Sequence, residues 1–103
     1  MKIAVLGAGA WGTALAINAG AKHSVVLWAR DESQAQAMQA ERVNRRYLPE
    51  QPFTAGVQVS SVPLGPWLTE QDLVVIGSPM SGLRGMLTQL APILGRAVPV
   101  VWL

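Results

Sequence analysis

The run Lys2-Ile3-Ala4-Val5-Leu6-Gly7-Ala8-Gly9-Ala10-Trp11-Gly12 decides the fold of this chain. Lys2 to Leu6 is a short β-branched and aliphatic stretch ending at a glycine, which reads as a buried strand. From Ala10 to about Ala19 the residues are alanine, leucine and isoleucine with a small polar remainder, a good helix by propensity, with Gly20 as its expected C-cap. Between strand and helix lies G-x-G-x-x-G. Gly7 suits a tight turn out of the strand, Gly9 lets a ligand approach the main chain, and Gly12 lets the helix pack closely.

Outward from this stretch, strands and helices alternate. Ser24 to Ala29 is a second strand, and Asp31 or Ser33 is placed to cap a following helix rich in Gln, Ala, Met and Glu. Asn44 to Gly56, with Pro49, Pro52 and Gly56, reads as a long loop of the kind that often carries function. Val57 to Ser60 is a third strand, and Pro63 to Gln71 a turn with about one helical turn. Asp72 to Gly77 is a fourth strand. Leu83, Met86, Leu87, Leu90 and Leu94 form a helical stripe that Pro92 should end or kink, and Ala97 to Leu103 is a fifth strand. Strands apolar on both faces and separated by helices predict an α/β fold: one doubly wound, Rossmann-type parallel sheet of order 3-2-1-4-5 over residues 1–103.

Composition excludes several other classes. The 103 residues suit one small domain, half are hydrophobic, and 14% are charged, so a buried core is expected and general disorder is not. With no cysteine and one histidine, a disulfide framework, thiol catalysis and a zinc or haem site lack ligands, and no metal site is assigned. Eight basic against six acidic residues leave a charge of +2, too small an excess to suggest nucleic acid. No stretch has the eighteen or more apolar residues of a membrane span. Lys2, the apolar run and Ala19-Gly20-Ala21 imitate a signal peptide, but the glycine spacing has the better explanation above, and a cytoplasmic protein is expected.

The glycine pattern, in its strand–turn–helix setting, points to a dinucleotide whose pyrophosphate sits on the free N–H groups at the helix start. A glycine-rich turn without ligand is the plain alternative. The tip of the second strand should choose the cofactor, since an acidic residue binds a ribose 2′-hydroxyl and an arginine accommodates a 2′-phosphate. Arg30 stands there, followed at once by Asp31 and Glu32, and favours NADP(H), with NAD(H) possible.

Gly7-Ala-Gly-Ala-Trp-Gly-Thr-Ala-Leu-Ala16, Val26-Leu-Trp-Ala-Arg30 and Asn44-Arg-Arg-Tyr-Leu-Pro49 together closely resemble bacterial NAD(P)-dependent glycerol-3-phosphate dehydrogenase. The Gly-Thr-Ala-Leu-Ala continuation and the Asn-x-x-Tyr-Leu-Pro segment are more specific than the glycine fingerprint. The resemblance runs along the whole chain but covers only the N-terminal, cofactor-binding part of the family's protein. It implies that NAD(P)H converts dihydroxyacetone phosphate to sn-glycerol 3-phosphate for phospholipid synthesis, in a complete enzyme with a sixth strand and a helical substrate domain. It also implies a catalytic lysine just beyond the fifth strand, so no catalytic residue is assigned within residues 1–103.

The candidate cofactor contacts are Gly7, Gly9 and Gly12 from the fingerprint, Ala10, Trp11 and Arg30 with Tyr47 in the neighbouring loop as the resemblance implies, and Ser78 and Pro79 after the fourth strand. Ala10 departs from a serine common in the family, and Gly77-Ser78-Pro79 from a Val-Pro-Ser. Lys2, Lys22 and His23 precede strands, at the rim opposite the expected crevice, and Arg84 reads as a solvated helix charge, so no general acid stands out. Trp28 and Trp102 read as packing residues, and Arg42, Arg45 and Arg46 as a basic patch that either attracts phosphates or is simply solvated. The apolar Val100-Val101-Trp102-Leu103 edge is expected to support a homodimer. Two other readings are a stand-alone dinucleotide-binding module without catalysis and the cofactor domain of a related hydroxy-acid or sugar dehydrogenase.

Overall fold

A computed structural model describes residues 1–77, 80–94 and 98–102. In chain order the elements are β1 (Lys2–Leu6), α1 (Ala10–Gly20), β2 (Ser24–Trp28), α2 (Glu32–Glu41), β3 (Val43–Asn44), β4 (Leu48–Pro52), β5 (Val57–Ser60), a 3₁₀ turn (Pro66–Glu70), β6 (Leu73–Ile76), α3 (Met80–Leu94) and β7 (Val100–Trp102).

Five strands form one sheet of order β5-β2-β1-β6-β7. All four pairings are parallel, with Leu6 level with both Trp28 and Ile76. This is the 3-2-1-4-5 order expected from the sequence, renumbered because β3 and β4 form a separate two-stranded ribbon. That ribbon corrects the reading of residues 44–56 as an unstructured loop. Val43 pairs with Pro52 and Asn44 with Leu48, antiparallel and with an irregular register. Two prolines hid it, since they are tolerated only on strands that donate few ladder bonds.

Each sheet face has its own core. Ile3, Val5, Val25, Leu27 and Val57 pack under α1 and α2 against Ala16, Ala35 and Met38. On the other face Ala4, Leu6, Trp28, Val74 and Ile76 pack against Leu68 of the 3₁₀ turn and against Met86, Leu90 and Leu94 of α3. Alternation along each strand therefore feeds both faces, and each fully buried Leu or Ile contributes about 1.5–3 kcal/mol.

Three details of the elements differ from expectation. Leu87 is 38% exposed and leaves the stripe to Met86, Leu90 and Leu94. The helix also continues past Pro92 to Leu94. Pro92 and Thr88, whose carbonyl it cannot bond, both lie on the exposed side, so that oxygen is open to solvent. Gly20 closes α1 but the cap is Ala21, in a right-handed conformation. Gly20 is needed for space instead, because a Cβ there would come within 2.6 Å of Thr54 Oγ1 and of Val57 Cγ2.

Candidate functional site

The chain leaves β1 for β2 on one side of the sheet and returns through β6 on the other. The crevice at the carboxyl ends of β1 and β6 is thus the switch point where open α/β sheets bind ligands. Three glycines shape it. Gly7 has φ 117°, a region that strains any residue with a Cβ, and its N–H continues the ladder to the Trp28 carbonyl at 2.9 Å. A Cβ on Gly12 would run into the Gly7 carbonyl oxygen, so Gly12 allows α1 to start directly against the turn. Gly77, at the end of β6, would place a Cβ 3.3 Å from Gly12 Cα.

Gly9 is different. A Cβ there would meet nothing within 4 Å, and its φ of −76° suits any residue. Its lack of a side chain serves the open space in front of the turn. Behind that space α1 begins at Ala10 with no side-chain cap and no acidic residue in its first turn, and the first amide turned back into the helix is that of Thr13, bonded to the Gly9 carbonyl at 3.0 Å. The preceding N–H groups and the positive end of the helix dipole face outward, an arrangement suited to an anion. Trp11, 80% exposed, projects from the same turn.

Arg30 lies at this rim, two residues beyond the pairing of Leu6 with Trp28. It is exposed, with its guanidinium 5.5 Å from the Trp28 ring centroid. Asp31 next to it is engaged: its Oδ1 accepts the N–H groups of Ser33 at 2.8 Å and Gln34 at 3.4 Å, capping α2. Trp28 is 5% exposed and its indole donates to the Val62 carbonyl at 2.7 Å, as expected of a packing residue. Trp28 and Arg30, with Pro63, Leu64 and Ile93, line a cavity of about 530 Å³ on the α3 side of the sheet.

Tyr47 sits in the turn of the β3–β4 ribbon, 44% exposed, with the Arg46 guanidinium 5.3 Å from its ring centroid. The basic patch divides. Arg42 is a structural residue rather than a phosphate ligand: in the left-handed cap of α2, it donates to the carbonyls of Thr54 at 3.1 Å and Val57 at 2.6 Å and lies over Phe53. Arg45 pairs with Glu41 at 2.7 Å on the surface, which leaves Arg46 beside Tyr47. Trp102 is 56% exposed, so the packing role expected for it does not hold within these residues. Ser78 and Pro79 lie outside the described residues.

Lys2 opens β1, and Lys22 and His23 precede β2, so all three stand at the amino rim, away from the glycine turn. Arg84 is exposed on α3. Sequence reasoning gave no role to Asn44, read as the start of a loop and the head of the Asn-x-x-Tyr-Leu-Pro segment, yet it is 1% exposed and bonds the glycine turn directly. Its signal was its place in the Asn-x-x-Tyr-Leu-Pro segment. Among the described residues no helix is long and apolar enough to cross a membrane.

This arrangement has known counterparts. The glycerol-3-phosphate dehydrogenase [NAD(P)+] of Acidovorax sp. strain JS42 is 57% identical over 106 aligned residues, covering all of this chain and 31% of that protein. The chain thus spans about a third of the length of the curated relatives it matches. The crystal structure of glycerol-3-phosphate dehydrogenase from Coxiella burnetii superposes with a TM-score of 0.89 at 34% identity, over 98% of this chain and 31% of that one. The Saccharomyces cerevisiae glycerol-3-phosphate dehydrogenase, at 21% identity and a TM-score of 0.79 over 99% of this chain and 33% of that one, shares the fold. The family model described as NAD-dependent glycerol-3-phosphate dehydrogenase N-terminus matches residues 2–103, and the chain belongs to that family.

Proposed function

We propose that residues 1–103 are the dinucleotide-binding domain of a glycerol-3-phosphate dehydrogenase, exchanging hydride between NAD(P)H and the pair dihydroxyacetone phosphate and sn-glycerol 3-phosphate, a reaction that feeds phospholipid synthesis. The observation that carries the reading is the uncapped start of α1 behind the open space at Gly9. In it the pyrophosphate lies on the turn that Gly7 and Gly12 shape, where the N–H groups from Gly9 through Trp11, with Ala10 between them, and the helix dipole meet its charge. Tyr47, Ser78 and Pro79 complete the contacts at either side.

Arg30 receives a ribose 2′-phosphate, which makes NADP(H) the preferred cofactor and NAD(H) the second. Support comes from the place of Arg30, exposed at the tip of β2, while Asp31 beside it has its Oδ1 engaged in capping α2. The cofactor's nicotinamide supplies the hydride when bound, and this chain's part is to hold and orient it. A proton donor for the carbonyl oxygen must come from elsewhere in a protein of the relatives' length, because the described lysines and the histidine stand at the opposite rim. Glycerol phosphate therefore partners the longer protein, and this chain alone turns over no substrate.

The test is a parallel titration of NADPH and NADH, followed by tryptophan fluorescence, with wild type and Arg30→Ala. Preferential NADPH binding that falls by roughly tenfold on losing Arg30 supports the assignment, a loss in the range of one charge-assisted hydrogen bond. Equal affinity for both cofactors, unchanged by the substitution, overturns the NADP preference. No binding of either overturns the dinucleotide reading.

A further inference from the structure

Two segments remain without a stated role: Thr13 in the helical continuation of the glycine turn, and Asn44 at the head of the Asn-x-x-Tyr-Leu-Pro segment. They meet at one side chain. Asn44 Nδ2 donates to the Ala8 carbonyl at 2.9 Å and to Thr13 Oγ1 at 2.8 Å, while its Oδ1 accepts the Tyr47 N–H at 3.3 Å. Thr13 is 0% exposed and Asn44 1%, the buried polar side chains of the described core. The partners fix the amide's orientation, because a carbonyl oxygen only accepts and so must face the amino end.

The consequence lies in the geometry of one peptide unit. The Ala8 carbonyl and the Gly9 N–H belong to the same trans plane and point in opposite directions. Drawing the oxygen inward to Asn44 turns the Gly9 N–H away from the interior, where it donates to no acceptor among the described residues. Without that anchor, a turn containing Gly7 and Gly9 has wide conformational freedom. A rotated peptide would present an oxygen, not a donor, to an incoming anion.

We propose that Asn44, seated on the Thr13 hydroxyl, is a positioning residue that holds the Ala8–Gly9 peptide with its N–H facing the phosphate. Through Oδ1 the same amide ties the Tyr47 main chain, so the ribbon turn and the glycine turn are set together. This rests on the dinucleotide reading above and adds the device that pre-organises its phosphate contact.

The experiment titrates the ¹⁵N-labelled 103-residue chain with ADP, which carries the pyrophosphate, and separately with adenosine, which does not. Wild type, Asn44→Ala, Thr13→Val and Thr13→Ser are compared, and the amide spectrum reports whether each is folded. Wild type should shift its Gly9 amide on adding ADP. Asn44→Ala should bind ADP roughly tenfold or more weakly and lose that shift, consistent with one charged hydrogen bond, while adenosine affinity is unchanged. Thr13→Val should move the same way, and Thr13→Ser should restore binding. If Asn44→Ala does not fold, the Val and Ser variants decide alone. Equal weakening toward ADP and adenosine, or an intact Gly9 shift in folded variants, overturns the positioning role while the dinucleotide reading stands. A wild type that binds neither ADP nor NAD(P)H overturns that reading and the positioning role with it.

Discussion

At Gly9 an added methyl group would touch nothing, whereas three residues later at Gly12 it would enter the Gly7 carbonyl. One pattern therefore contains a glycine that the fold does not require and a glycine that it does, so on the proposed dinucleotide reading the same substitution separates binding from folding. Gly9→Ala should leave stability unchanged or raise it by about 0.4–1 kcal/mol, since its φ of −76° is open to alanine and the unfolded chain loses freedom. It should nevertheless weaken NAD(P)H binding, because the methyl occupies the approach to the main chain. Gly12→Ala should cost about 1–3 kcal/mol, the usual penalty of overpacking. Urea unfolding and a cofactor titration on both variants check the pair. A Gly9→Ala protein that binds as wild type would remove the pyrophosphate from this turn. Arg42 argues the same way among the arginines: Arg42→Ala, losing two carbonyl partners, should destabilise by about 1–3 kcal/mol, while Arg46→Ala should leave stability within about 0.5 kcal/mol.

Among the elements, α2 is where stability and the proposed cofactor preference can be tested together, because its cap is the residue next to Arg30. Asp31→Ala should lower unfolding free energy by about 0.5–2 kcal/mol through loss of the two capping bonds. The ratio of NADPH to NADH affinity should stay where it was. A collapse of NADH binding alone would instead place Asp31 on the ribose. The sequence narrowed the cap to Asp31 or Ser33 and the structure takes Asp31, while β1, β2 and β6 were readable because they are apolar on both faces. The β3–β4 ribbon was not. Its strands are two and five residues long, two prolines lie in β4, and its place is set by Phe53, Arg42 and Asn44 reaching elements distant in sequence. Pro92 misled for a related reason, since an exposed proline near a helix end leaves the carbonyl four residues earlier open to water. Of the candidate site, the placing of the glycines and Arg30 at the carboxyl rim of the sheet was legible from spacing, while Asn44 was hidden because a buried amide looks like any loop asparagine.

Across the whole molecule, the two edges of the sheet are treated differently. On the β5 side the Val57 N–H donates to the Thr54 carbonyl at 3.1 Å, and the Val59 N–H to Gln39 Oε1 at 2.8 Å, so neither is free to recruit another strand. On the other side β7 pairs with β6 alone among the described residues, with Val101 50% and Trp102 56% exposed. An edge that is apolar and carries no charge is a template for further pairing. We therefore expect the chain to self-associate through β7, and sedimentation velocity over a range of concentrations should show a dimer in reversible exchange with monomer. Trp102→Lys should shift that equilibrium toward monomer by at least tenfold, because pairing would bury a charge against its own copy. Gln39→Ala, which opens the β5 edge, provides the contrast: it should add association that Trp102→Lys does not remove. A wild type that remains monomeric at every concentration would show that β7 is quiet despite its exposure, and the dimer proposal would fall while the proposed cofactor site, built on β1 and α1, stood unaffected.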